Sequence, residues 1–215
     1  MGSELKFDPS QMEHPDIYKV LSGVVIPRPI AWVSTFGPDG VPNVAPYSFF
    51  QPITPSPPHV SFSAGSRDGV KKDTERNIEA TGEFVVNIVS SEIARRMAIS
   101  ALDFAPEQSE FAASGLTLAP SDCVSAPRVA EAPASLECEM RQMIPVGDER
   151  YGATLIIGEV VRFHVRDELV LENHRIDFYA LDAVGRLAGD WYCATNDQYE
   201  LPRSQYQREL SDWFE

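Results

Sequence analysis

Two stretches of alternating residues, Ser135 to Pro145 and Ala153 to Val165, follow one another closely and are joined through Val146-Gly147-Asp148. A β-strand sends successive side chains to opposite faces, so each run can bury one face by pairing. So short a connection suits antiparallel neighbours, because parallel strands need a crossover of a dozen or more residues. The same texture recurs upstream. Ile30, Trp32 and Ser34 alternate with Ala31, Val33 and Thr35, Gly37-Pro38-Asp39-Gly40 turns the chain, and Val41 to Phe50 returns as the second arm of a hairpin. Pro46 removes one ladder donor, which places that arm at an edge or a bulge. Val60 to Ser63 and Glu83 to Val89 read as further strands, Ile176 to Leu181 as a last extended element, and Pro52 to Pro58 as a stiff connector.

Helical signals are fewer. His14 to Leu21 can form two turns, Asp73 is a plausible N-cap for a helix closed by Gly82, and Glu92 to Leu102 places Ile93, Met97 and Ala101 on one face. Only the middle of the chain alternates strand with helix, so the expected fold is mainly β, an antiparallel barrel with a few inserted helices. The 215 residues are read as one domain, with residues 1–14 loose and residues 103–134, rich in Ala, Ser and Pro, wandering over the surface.

Charge narrows the partners. With 32 acidic against 18 basic residues, the net charge of -14 repels nucleic-acid backbones and anionic membrane surfaces. No apolar run reaches the roughly 18 residues of a membrane span, and Met1 to Ser22 lacks the pattern of a signal peptide. A cytoplasmic protein is expected. Cys123, Cys138 and Cys193 show no CxxC pairing, and His14, His59, His164 and His174 are scattered without metal spacing, so neither a disulfide frame nor a metal is expected. Glu137 and Glu139 share a strand face, but an opposing acid cannot be read from sequence. No G-x-S-x-G occurs to support hydrolase chemistry.

Against that acidic background, Ser61 to Asn77 carries a local cluster of cations, Arg67, Lys71 and Lys72, with hydroxyls on Ser63, Ser66 and Thr74. Strand, glycine-broken loop and helix start follow in order. Backbone N–H groups at a helix start are unpaired and carry partial positive charge, so the segment suits a phosphate monoester. An ordinary solvated turn is the other reading of the same residues, since neither a dinucleotide glycine pattern nor a P-loop is present.

Four segments, Arg28 to Thr35, Asn43 to Phe50, Lys72 to Ile78 and Gly185 to Tyr192, resemble in order those of the flavin-reductase-like family of FMN-binding split barrels, which includes flavoredoxins. The resemblance implies a Greek-key split β-barrel and a homodimer with FMN near the subunit interface. It implies phosphate ligands at Ser63, Ser66, Arg67, Lys72 and Thr74, with Asp73 also among the cofactor-binding residues. The isoalloxazine would lie along Asn43, Ala45, Pro46, Tyr47 and Ser48, with Ser34 and Thr35 nearby and Arg186 as a contact to cofactor or second subunit. The family usually has two glycines after Arg186-Leu187, where this chain has Ala188-Gly189. The implied activity is NAD(P)H-dependent flavin reduction, with electrons passed to free flavin or a partner monooxygenase; no side chain is named as catalytic, because the flavin carries the chemistry. A flavoredoxin-like electron carrier without nicotinamide activity is the alternative, and a cofactor-free scaffold a third. Trp32, Tyr47, Phe49 and Phe50 are expected mainly to pack, and Cys193 to be an inert thiol.

Overall fold

The computed structural model describes residues 2–66, 68–104, 108–204 and 207. Arg67, one of the expected phosphate ligands, lies outside the described residues. Helix α1 (His14–Val24) leads into a hairpin of β1 (Ala31–Phe36) and β2 (Pro42–Tyr47), and β3 (Phe50–Pro55) and β4 (Pro58–Gly65) form a second hairpin. Helix α2 (Asp73–Thr81), β5 (Glu83–Asn87), α3 (Ala94–Ile99) and α4 (Glu110–Ala113) follow, then the minimal ladder of β6 (Leu118–Ala119) with β7 (Arg128–Val129). The long pair β8 (Ala134–Val146) and β9 (Ala153–Val165), the single turn α5 (Phe178–Leu181) and the small ladder of β10 (Val184–Arg186) with β11 (Tyr192–Ala194) complete the described elements.

Seven strands make one sheet in the order β2-β1-β5-β8-β9-β4-β3, and every pairing in it is antiparallel. The terminal strands β2 and β3 carry Pro42, Pro46, Pro52 and Pro55, which an edge tolerates. β2 touches β4 without forming a ladder with it, so the sheet curls into a barrel that stays split along that seam. β1 is buried on both faces. Ala31 and Val33 join Phe62, Phe84, Val86 and Ile156 in one cluster, while Ile30 and Trp32 join Val44, Ile93, Met97 and Phe111 in another.

Gly158 in β9 marks the tightest point of the first cluster. A Cβ there would stand 2.4 Å from Phe84 Cζ and 3.2 Å from Cys138 Cβ, and Phe84 is wholly buried with no room to swing aside. Gly158→Ala is expected to lower stability by about 1–3 kcal/mol, read as a lower urea midpoint at unchanged m-value.

Several sequence expectations need correction. Val41 to Phe50 is not one strand and Pro52 to Pro58 is no connector: β2 ends at Tyr47, and the proline segment forms β3 against β4, with a register shift between Pro52 and Thr54. Prolines are tolerated there because one side of β3 has no ladder partner. The N-cap of α2 is Lys72, not Asp73, whereas Gly82 closes the helix in the left-handed conformation as expected, with its N–H on Ile78 O. The helix expected at Glu92 to Leu102 narrows to α3 and leaves Ala101 exposed, although Ile93 and Met97 are buried. The excursion 103–134 does not merely cross the surface, since Val124, Ala126, Val129 and Ala132 enter the core. The extended element expected at Ile176 to Leu181 is α5, started by Asp177 Oδ1, which accepts from the N–H groups of Tyr179 and Ala180.

Candidate functional site

The start of α2 faces a cleft of about 150 Å³ lined by Asn43, Ala45, Pro46 and Tyr47 of β2, by Lys72, Asp73 and Thr74, and by Ser100 to Phe104 with Glu110 on the far wall. No side chain caps the helix. Of its own acids, Asp73 lines the cleft with its charge offset by a pair with Arg76, while Glu75 turns away, its Oε1 accepting from Thr154 Oγ1 at 2.6 Å. Lys71 likewise points away, onto Glu79 at 2.8 Å. Among the described residues, no hydrogen bond or ion pair engages Lys72 Nζ. The first-turn amides and one ammonium group therefore stand together at the cleft, a donor set suited to an anion.

Beneath that helix start runs a chain of short polar side chains. Asn43, oriented so that both ends of its amide are satisfied, accepts from Thr74 Oγ1 at 2.9 Å and donates to Glu110 Oε1 at 3.2 Å. Asn77 Nδ2 donates to Thr35 Oγ1 at 3.0 Å. Tyr47 hydrogen-bonds Thr74; burial pushes its phenol above the ordinary range, the Thr74 bond opposes this, and Asp73, Glu75 and Glu110 push it further up, so the hydroxyl stays protonated. Burial also raises the Glu110 carboxyl, against the backbone N–H groups of Glu110 and Val44, with Asp73 adding to the rise.

Where β2 ends, Ser48 and Phe49 cross to β3 and open a second cavity of about 500 Å³. Its walls are mainly apolar, including Leu21, Val25, Phe49, Phe50 and Leu155, with Arg28, Ser48, Ser61 and Ser63 as the polar groups. The two cavities have no lining residue in common, but Tyr47 of the first and Ser48 of the second are consecutive in the chain. Seven of the expected residues, Asn43, Ala45, Pro46, Tyr47, Lys72, Asp73 and Thr74, thus line the first cavity, and Ser48 and Ser63 line the second.

Other expected residues lie apart. Thr35 is buried below α2. Ser34 is on the opposite face of β1, where its hydroxyl donates to Pro127 O and accepts from Asn87 Nδ2 at 2.9 Å, so both of its hydrogen-bonding roles are used inside the fold. Ser66 turns toward the β8–β9 connection, its N–H and hydroxyl on Gly152 O at 3.0 and 2.9 Å. Arg186 folds over Tyr192, with its guanidinium carbon 4.5 Å from the ring centre, and donates to Gly189 O and Tyr192 Oη. Sequence reading gave no site role to Glu110 or to the wall 100–104, because residues 100–102 read as the end of a helix and residues from 103 as a surface excursion. It also left Arg28 without a role, although a cation flanked by Val24-Val25-Ile26-Pro27 and Pro29-Ile30 is a signal of burial.

A separate cluster joins Asp122, Glu137 and His164, whose ligand-type atoms lie within 4.8 Å of one another. Glu137 is fully buried, and its carboxylate accepts from the N–H groups of Asp122 (2.8 Å), Cys123 (2.6 Å) and Val124 (3.1 Å) and pairs with His164 Nε2. Burial alone would raise its pKa, but the Asp122 amide, His164 and the amides of Cys123 and Val124 together hold it below the ordinary value. With the folded value below the unfolded one, near 4.3, this contribution is full above the unfolded value and drains as pH falls through the folded one. Glu137→Gln is expected to cost about 2–4 kcal/mol at pH 7, because a carboxamide turns a donor toward backbone donors. The gap to wild type should close as unfolding is measured from pH 6 down to pH 3.

Similarity to other proteins bears on the two adjoining cavities rather than on this cluster. The flavin reductase like domain matches residues 22–182, which include every residue lining both cavities except Leu21. A protein of Deinococcus radiodurans is 42% identical over 219 residues, covering 98% of this chain and 95% of its own. The structure of nitrilotriacetate monooxygenase component B from Bacillus cereus superposes with a TM-score of 0.90 at 37% identity, covering 94% of this chain and 100% of the other. That of 2-nitrobenzoate 2-nitroreductase NbaA from Pseudomonas fluorescens does so with a TM-score of 0.84 at 33% identity, covering 92% and 95%. A split antiparallel barrel, a cleft where β2 meets the start of α2, and a domain match over most of the length agree, and this chain belongs to the flavin reductase like family.

Proposed function

We propose that this chain is an NAD(P)H-dependent flavin reductase that holds FMN across the two adjoining cavities. The observation that carries the reading is the uncapped start of α2 beside Lys72, whose amides and ammonium fit the phosphate dianion of FMN. Thr74 gives its hydroxyl proton to Asn43 and is also hydrogen-bonded to the protonated Tyr47, so it supports the helix start from beneath. Ala45 to Ser48 run from this anion end into the apolar cavity of about 500 Å³, within the range of small-ligand sites. When bound, the flavin supplies hydride acceptance from nicotinamide and electron delivery to an acceptor. The chain's own residues bind the phosphate, orient the ring and exclude water from one face.

A homodimer in the cytoplasm, working as a single domain over residues 1–215, completes the proposal; three free thiols suit a reducing compartment. Among the described residues no helix is long and apolar enough to cross a membrane. The similarity to a monooxygenase component B favours a partner oxygenase or free flavin as acceptor. A second reading, favoured by the similarity to a nitroreductase and by the apolar cavity beside Ser48, passes the electrons to a small nitroaromatic compound.

The test is an anaerobic titration of the purified chain with FMN and with FAD, followed by NADH and then NADPH, with the flavin band recorded throughout. Bleaching by either donor supports the reductase and identifies the donor. Bound flavin that neither donor reduces rejects it in favour of an electron carrier. Failure to take up either flavin rejects the whole reading. Addition of 2-nitrobenzoate to the reduced protein separates the two acceptors.

A further inference from the structure

Arg28 stands at the junction of three segments that are far apart in sequence. It is only 5% exposed, yet among the described residues no carboxylate lies within ion-pair distance of it. Neutral groups hold it instead. Nη1 donates to Ser22 O (2.5 Å) and Val25 O (2.6 Å) around the end of α1, Nη2 to Leu187 O (2.8 Å) in the last motif, and Nε to Ser48 Oγ (3.3 Å). Its backbone is bridged to Arg186 by bonds of 3.0 and 2.8 Å in the two directions. A buried charge normally needs a partner ion, because carbonyl dipoles offset only part of the lost hydration. This one instead borders the cavity of about 500 Å³, beside the Phe49 ring at 5.8 Å.

We propose that Arg28 is a positioning residue of the cofactor site: it fixes Ser48 at the wall of the cavity while its bonds to Ser22 O, Val25 O and Leu187 O hold it there, and it presents to the cavity a positive charge that favours the reduced, electron-rich state of the flavin. The inference rests on the flavin-binding reading above and deepens it. The bidentate and lateral contacts need the planar fork of a guanidinium, which lysine cannot reproduce, whereas the charge can be kept by lysine. Position and charge are therefore separable.

The experiment compares Arg28→Lys, Arg28→Gln, Ser48→Ala and the double variant Arg28→Lys/Ser48→Ala by FMN fluorescence titration, visible circular dichroism of the bound flavin and its midpoint potential. Arg28→Gln is expected to weaken binding of reduced FMN about tenfold more than oxidised FMN, a fall of about 30 mV for a two-electron couple. Arg28→Lys should keep the potential but weaken oxidised FMN several-fold and alter the dichroism, as should Ser48→Ala. The double variant should be no weaker than the weaker single one, because both remove the same contact.

An unchanged potential in folded, flavin-loaded Arg28→Gln overturns the charge role. FMN affinity within twofold of wild type in Arg28→Lys and Ser48→Ala, or additive losses in the double variant, overturns the positioning role; should Arg28→Gln not fold, these two variants decide. A wild-type chain that binds no flavin rejects the functional reading itself, whereas wild-type binding with indifferent variants rejects only the role of Arg28.

Discussion

Lys72→Ala is expected to weaken FMN binding by about 10- to 100-fold, about 1.5–3 kcal/mol, the range of a hydrogen bond between charged partners. Lys71 provides the internal contrast. It is one residue away with the same formal charge, but its ammonium is bound to Glu79 at 2.8 Å and approaches Glu75 at 3.8 Å, whereas Lys72 lines the cleft beside the free amides of α2. Lys71→Ala should therefore change FMN affinity by less than about threefold, as expected for an exposed ion pair. Both variants are titrated with FMN and with riboflavin, which lacks the phosphate. The loss in Lys72→Ala should be confined to FMN and should shrink as salt rises. Equal affinities in wild type and Lys72→Ala, or equal losses for FMN and riboflavin, would remove the phosphate role from this helix start.

That contrast shows what sequence could and could not settle. Strand identity was legible where extended β-prone runs were long or alternated: β8 and β9 lie within a residue of their expected bounds despite register shifts between Glu137 and Cys138 and between Met140 and Gln142, and the two faces of β1 enter two different clusters. Alternation fails where an edge tolerates proline, and so β3 was hidden inside a proline-rich stretch. It fails again in residues 103–134, where small residues enter the core through packing partners that lie far away in sequence. The anion site was half legible. Composition marked three cations before a helix, but it could not say that Lys71 would turn to Glu79 while Lys72 stayed at the cleft. Ser34 shows the same limit, because a small hydroxyl near a cofactor motif gives no sign that Asn87 and Pro127 will claim it.

Arg28 and Trp32 tie the barrel to the two cavities. Both belong to the segment that opens β1, and each reaches from it to a wall of a cavity: Arg28 to Ser48, and Trp32 Nε1 to Ser100 Oγ at 2.9 Å. Ser100 in turn donates to Met97 O at 2.8 Å and lines the first cavity. The indole is thus one of the ties between the far wall of the cleft and the core, alongside the bond of Glu110 to Asn43.

Trp32→Ala is accordingly expected to cost about 3–5 kcal/mol of stability. The side chain is wholly buried among Ile30, Val44, Ile93 and Met97, so its removal leaves a cavity that neighbouring strands, fixed by ladders on both sides of β1, cannot close. Against a total of about 5–15 kcal/mol for an ordinary protein, the variant should show a much lower urea midpoint. Trp32→Phe separates packing from attachment. It keeps most of the apolar volume but removes the donor to Ser100 Oγ, which retains its bond to Met97 O, at a cost of about 0.5–1.5 kcal/mol. If Ser100 holds the wall in place, Trp32→Phe should also weaken FMN binding several-fold in protein that is otherwise fully folded. Stability within about 1 kcal/mol of wild type in Trp32→Ala would mean that this cluster is not what holds the α3 side of the barrel. Unchanged FMN affinity in Trp32→Phe would mean that the 100–104 wall does not depend on the indole.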